Sequence, residues 1–160
     1  WMPYEYENST EGYQAAKEGL RNPLPYTEDN VNAGKELYTI YCAICHGDKG
    51  DGQGTLAERE KILGIPAYND QGRAITEGSV YYVTYYGINT MGSYASQTTE
   101  RELWLINHYV MDLKDQLDGK PKRSFDSEST DDEASLTEEE ATDEGENATA
   151  MPSEEANIEE

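Results

Sequence analysis

The sequence predicts an all-α domain, with an extended arm before it and an acidic tail behind it. Two segments with clear helix-start signals, at Thr27 and at Thr99, predict the domain, and a sharp change of charge near Arg123 predicts where it ends. From Ser124 to Glu160 there are 15 Asp and Glu residues and no Lys or Arg, so this tail carries most of the formal charge of −21. The preceding residues hold 18 acidic side chains against 12 basic ones, a net charge of −6 that is ordinary for a folded domain. The tail lacks the apolar residues needed to offset ordering entropy and is expected to be disordered. The expected organisation is an arm over residues 1–26, a helical domain over 27–119 and the tail over 120–160.

The arm mixes tyrosines and polar residues with three prolines, and only Tyr13–Leu20 offers a helical turn or two. Thr27 is a good N-cap, and Glu28 and Asp29 follow where the helix dipole favours negative charge. A helix-period face then runs through Val31, Gly34, Tyr38, Tyr41, Cys42 and Cys45, which places the cysteines at the end of a helix. Residues 47–74 are rich in Gly and charge, with a short helix expected at Leu56–Leu63 before Gly64 and Pro66. The Asp48–Gly54 stretch resembles a calcium loop only faintly, lacking the later bidentate Glu. Thr76–Gly87 is ambiguous: Val80 to Tyr86 favour strand, whereas Thr76 followed by Glu77 looks like a helix start, and local sequence leans to strand. Beyond the loop Ile88–Gln97, Thr99 and Glu102 form a capping box. Leu103, Ile106, Tyr109, Val110 and Leu113 make the apolar stripe of the helix it opens.

The chemistry is concentrated in Cys42-Ala43-Ile44-Cys45-His46, the C-x-x-C-H pattern of c-type haem attachment. Two thiols three residues apart reach the two vinyl groups of one porphyrin as thioethers, and the adjacent His46 lies under the iron. A thioredoxin-like pair would sit at a helix N-terminus, where the dipole lowers the thiol pKa; here a helix runs into the cysteines. A zinc site would need four Cys or His ligands, and the only other histidine is His108.

Such a haem usually takes a second axial ligand, and a Met raises its reduction potential relative to a second His. The candidates are Met2, Met91, Met111, Met151 and His108. Met2 and Met151 lie in segments expected to lack order, and Met111 and His108 lie off the apolar stripe of the last helix. Met91 sits between Gly87 and Gly92 in a loop whose backbone can bring the thioether to the iron, and it is the favoured ligand; the plainer role for a Met is to fill a core gap.

The strong negative charge gives no electrostatic reason to approach phosphate backbones, which excludes nucleic acid as an expected partner. No apolar run approaches the roughly 20 residues that cross a bilayer, and the visible chain reads as soluble.

From Thr27 to Leu117 the chain resembles a class I cytochrome c, which implies a helical domain around one covalent haem c. In that family an N-terminal helix bearing a Gly and an aromatic packs on an aromatic of the last helix, and Gly34, Tyr38 and Tyr109 match those positions. The resemblance also makes Thr76–Gly87 helical, and it implies that the carbonyl of Pro66, in Gly64-Ile65-Pro66, accepts a hydrogen bond from His46 and fixes its orientation. Met91 departs from the family in being followed by Gly92 instead of the frequent Pro.

More narrowly, Tyr38–Tyr94, including YCAICHGDKGDGQGTL and ITEGSVYYVTYYGINTMGSYASQ, is similar to the monohaem cytochrome c subunit of bacterial alternative complex III, a membrane quinol oxidoreductase. That likeness implies a periplasmic, membrane-associated subunit, often lipid-anchored upstream, that passes electrons from a multihaem subunit towards a terminal oxidase or another cytochrome. It is then an electron-transfer subunit with no catalytic residues of its own. The alternatives are a free-standing carrier, or a gas-binding or catalytic haem domain with an open distal position. The acidic tail is either a docking device for a basic partner or a solubilising extension, the latter preferred.

Overall fold

Six helices follow one another in the computed structural model, which describes residues 4–126: α1 (Thr10–Gly19), α2 (Glu28–Tyr41), α3 (Ala43–His46), α4 (Thr55–Glu58), α5 (Glu77–Tyr86) and α6 (Glu100–Leu117). Among the described residues there is no strand, only an isolated bridge between Ile88 and Met91. All the described residues fall within one compact unit.

The pair α2 and α6 forms the base of the fold. Both start as the sequence predicts: the Thr27 hydroxyl accepts from Asn30 N–H, and Thr99 and Glu102 form a reciprocal capping box. They cross so closely that a Cβ on Gly34 would lie 2.0 Å from the Leu105 carbonyl oxygen, so only glycine fits there. One turn on, the Tyr38 ring meets Tyr109 edge-on, with centroids 5.2 Å apart.

All six residues from Leu103 to His108 are buried, so α6 is covered on more than the stripe read from sequence. His108, expected off that stripe, is 3% exposed. The reason is the segment after α1, which runs behind α6: Asn22 Nδ2 donates to the Trp104 carbonyl at 2.9 Å, and His108 Nε2 pairs with the Leu24 carbonyl at 3.2 Å.

The arm is more ordered than a turn or two. Ser9 caps α1 by accepting from Gly12 N–H at 3.0 Å, and α1 packs on α5 through Ala16, which is fully buried. A Cβ on Gly78 would lie 1.8 Å from the Ala16 carbonyl oxygen, so this crossing too depends on a glycine. Helix α5 forms against its local strand propensity because both ends are signalled, by a Thr76/Ser79 capping box and by Gly87 at φ +83°, and because Val80, Tyr81 and Thr84 are needed in the core. Tertiary packing overrides propensity here. The predicted helix at Leu56–Leu63 is shorter and earlier, since Glu60 adopts φ +54° and ends it.

The first residues of the expected tail are tied back. Tyr26 N–H donates to Asp126 Oδ2 at 2.6 Å and its carbonyl accepts from Asp126 N–H at 2.9 Å. The Tyr26 ring stacks on Phe125 at 5.2 Å and carries the Arg123 guanidinium at 4.0 Å. The rest of the expected disordered tail, with Met2 and Met151, lies outside the described residues. No described helix is long and apolar enough to cross a membrane.

Candidate haem site

The C-x-x-C-H residues occupy the turn that leaves α2. Cys42 caps α2, donating its N–H to the Tyr38 carbonyl at 2.8 Å, and α3 is the single turn carrying Cys45 and His46. Gly47 ends that turn at φ +77°, and the Tyr38 hydroxyl donates to its carbonyl at 2.8 Å, so the base of the fold braces the motif directly. Cys42 ends α2 and starts the single turn of α3. Burial, with a smaller contribution from Cys45, pushes the Cys42 thiol up to about 12. It is a thiol and not a thiolate at neutral pH, the reverse of a redox-active pair.

Burial also holds His46 below its ordinary pKa, which keeps the imidazole neutral and able to ligate a metal. Its ring stacks on Tyr68 with centroids 5.0 Å apart. Its Nδ1 is buried without a hydrogen-bond partner in this structure, the Pro66 carbonyl included.

Beside the motif lies a cavity of about 630 Å³. Protein interiors rarely hold voids much larger than a water molecule, whereas sites that enclose a whole small molecule measure roughly 300–1,000 Å³. Cys42, Cys45 and His46 face this cavity, as do Pro66 and Tyr68. Ile106 and Val110 bring the apolar stripe of α6 to it, and Val80, Val83 and Thr84 bring α5.

Met91 lines the same cavity. It is presented by a tight turn in which Ile88 and Met91 exchange two backbone hydrogen bonds of 2.9 Å, with Asn89 at φ +51°. Gly87 lets the turn fold back, since a Cβ there would lie 2.6 Å from the Met91 carbonyl oxygen. Tyr94 N–H then donates to the Thr84 carbonyl at 2.9 Å and ties the loop to the end of α5. Of the other candidate ligands, Met111 and His108 are absent from the lining, and Met2 and Met151 are not described. Two thiols on one wall, a buried imidazole, a thioether and apolar walls together fit a covalently attached haem.

A family model described as "Cytochrome C oxidase, cbb3-type, subunit III" matches residues 29–110. The chain belongs to this family. It carries a class I c-type cytochrome domain, which implies a covalent haem c and haem-based electron transfer. Among solved structures, the cytochrome is similar to a chain of the Kuenenia stuttgartiensis reducing HAO-like protein complex, at 30% identity over 57% of this chain and 46% of that one, with a TM-score of 0.49. It is also similar to cytochrome CL from the marine methylotrophic bacterium Methylophaga aminisulfidivorans, at 23% identity over 69% of this chain and 68% of that one, with a TM-score of 0.43. The chain thus spans less than half the length of the first of these. No curated protein matches.

Sequence reasoning did not find Tyr68, Tyr94, Lys17 or Arg73 as cavity residues. Ile106 and Val110 were accessible through the stripe of α6, but nothing local marks the others, which reach the cavity only through the packing of α1, α5 and the 64–75 segment.

Proposed function

We propose that this cytochrome carries a single haem c, attached at Cys42 and Cys45 and ligated by His46 and Met91, and serves as the monohaem subunit of a periplasmic, membrane-associated quinol oxidoreductase of the alternative complex III kind. The observation that carries the site is the convergence of both thiols, His46 and the Met91 loop on one cavity. A single C-x-x-C-H in 160 residues supports one haem. When bound, the haem supplies a one-electron Fe(III)/Fe(II) couple. The apolar walls from α5 and α6 exclude water from it, and the Met91 thioether favours the reduced state, so a relatively high potential is expected. Burial holds His46 below its ordinary pKa, so its neutral imidazole would be available to hold the iron. The likeness of Tyr38–Tyr94 to the monohaem cytochrome of that complex supports the assembly, with a multihaem subunit as donor, a terminal oxidase or another cytochrome as acceptor, and a lipid anchor upstream.

Haem staining on a denaturing gel and the reduced-minus-oxidised spectrum test attachment and ligation separately. The wild-type chain should give a stained band and a sharp low-spin spectrum that carbon monoxide leaves unchanged. A Cys42→Ala/Cys45→Ala chain should give no band, and persistence of the band sinks the attachment sites. Met91→Ala should become high-spin and bind carbon monoxide; a spectrum identical to wild type would remove Met91 from the iron. In a detergent extract of native membranes the chain should elute with multihaem subunits, and elution alone would make it a free carrier.

A further inference from the structure

The charge of the cavity does not follow the charge of the chain. The sequence has 33 Asp and Glu against 12 Lys and Arg, yet the described residues that line the cavity include Lys17 and Arg73 and no carboxylate. An apolar cavity with cations at its margin and no acid is suited to a ligand whose body is apolar and whose periphery is anionic.

Lys17 lies in the last turn of α1, and Tyr13 and Gln14, four and three residues before it, line the cavity from the same helical face. The position of Lys17 is fixed from three directions. Its carbonyl accepts from the Thr76 hydroxyl at 2.8 Å, its Nζ donates to the Arg73 carbonyl at 2.9 Å, and the neighbouring Ala16 is locked against Gly78. The Arg73 guanidinium is paired with Asp70 at 3.4 Å, whereas the Lys17 ammonium has no carboxylate partner among the described residues. Helix α1 also lies before the residues that the family model matches, which begin at 29.

From this we infer that α1 is a wall of the haem site, and that Lys17, with Tyr13 and Gln14 beside it, binds the haem propionate carboxylates and balances their charge. The inference rests on the reading of the cavity as a haem site. It turns the arm from a docking segment into part of the cofactor enclosure, and makes Lys17 a positioning residue that also sets the potential. A positive charge at the propionates opposes a further positive charge on the iron, so removing it favours the oxidised state.

The test is spectroelectrochemical titration of the full haem-loaded chain. In Lys17→Gln and Lys17→Met, the second of which keeps the packed stem, the ratio of oxidised to reduced cytochrome at a fixed applied potential should rise about threefold. Lys17→Arg should restore the wild-type ratio. Arg21→Gln, an equal change of net charge just outside α1 and off the cavity, should leave it unmoved. Neutral Lys17 variants with the wild-type ratio, an equal shift in Arg21→Gln, or an Arg variant that behaves like the Gln variant would each overturn the inference. A wild-type chain without stained haem would instead overturn the reading of the cavity on which it rests.

Discussion

His108 is buried behind α6, with Nε2 on the Leu24 carbonyl at 3.2 Å, Nδ1 without a partner and the Tyr26 ring edge-on at 5.6 Å. Desolvation lowers its pKa, and the Arg123 charge adds to that, while Leu24, Glu77 and Asp112 oppose it. An unfolded histidine titrates near about 6.5. As the pH falls through that value the unfolded chain takes up a proton that the folded chain refuses, so stability is present above about 6.5 and is lost on acidification. In the haem-loaded protein the denaturant midpoint should therefore fall between pH 7 and pH 5.5, and His108→Gln should flatten that fall. His46 contributes equally to both chains and cancels in the comparison. Equal acid sensitivity in the two chains would show that His108 does not govern it. The neighbouring Asp112 is a buried carboxylate satisfied from two sides, by the Tyr26 hydroxyl at 2.7 Å and by Arg123 at 3.1 Å.

At the scale of elements, the α2–α6 and α1–α5 crossings each depend on a glycine. A Cβ at Gly34 or Gly78 would overlap a backbone carbonyl, which no side-chain rotation relieves, so the helices themselves must separate. Overpacking of this kind costs typically about 1–3 kcal/mol and occasionally more. Both Gly34→Ala and Gly78→Ala should lower the denaturant midpoint, but only Gly34→Ala disturbs the α2–α6 base that braces the C-x-x-C-H turn. Stained haem should therefore drop in Gly34→Ala, whereas Gly78→Ala, which moves the α1 wall and not the C-x-x-C-H turn, should keep the covalent attachment; equal haem loss in both would mean that attachment depends on the α1–α5 crossing as much as on the base. The same contrast marks what was legible in sequence. Helices α2 and α6 were readable because Thr27, Thr99 and Glu102 announce their starts and an apolar period follows. Helix α5 was readable from the family resemblance and not from local propensity, because its Val and Tyr run favours strand and its capping box uses Ser79 in place of Glu or Gln. Helix α1 was not, because its one fully buried side chain is Ala16, whose significance appears only against Gly78. In the site, Cys42, Cys45 and His46 were legible as contiguous residues and Met91 through its loop, whereas Lys17 and Tyr68 reach the cavity only by tertiary packing.

For the whole molecule the open question is where folding ends and charge begins. The contacts that tie the C-terminal segment back to Tyr26 and Asp112 run through Arg123, Phe125 and Asp126. Removal of residues 127–160 takes away none of these contacts and removes 14 acidic side chains, which relieves like-charge repulsion. Removal from Ser124 takes Phe125 and Asp126 as well and uncovers the Tyr26 ring. The longer deletion should thus lower the melting temperature, and the shorter one should leave it unchanged or slightly raised. The two deletions also separate the roles open to the acidic tail. Charges more than about 8 Å from a partner are largely screened at physiological salt, so a tail that only confers solubility should leave electron transfer to the partner unchanged in the shorter deletion at any ionic strength. A tail that steers a basic partner should instead make the full-length rate fall steeply with added salt, and its loss should slow the reaction at low salt and flatten that dependence. The solubilising role predicts coincident salt curves for the two chains, and a divergence that grows as salt is withdrawn would assign the tail to docking.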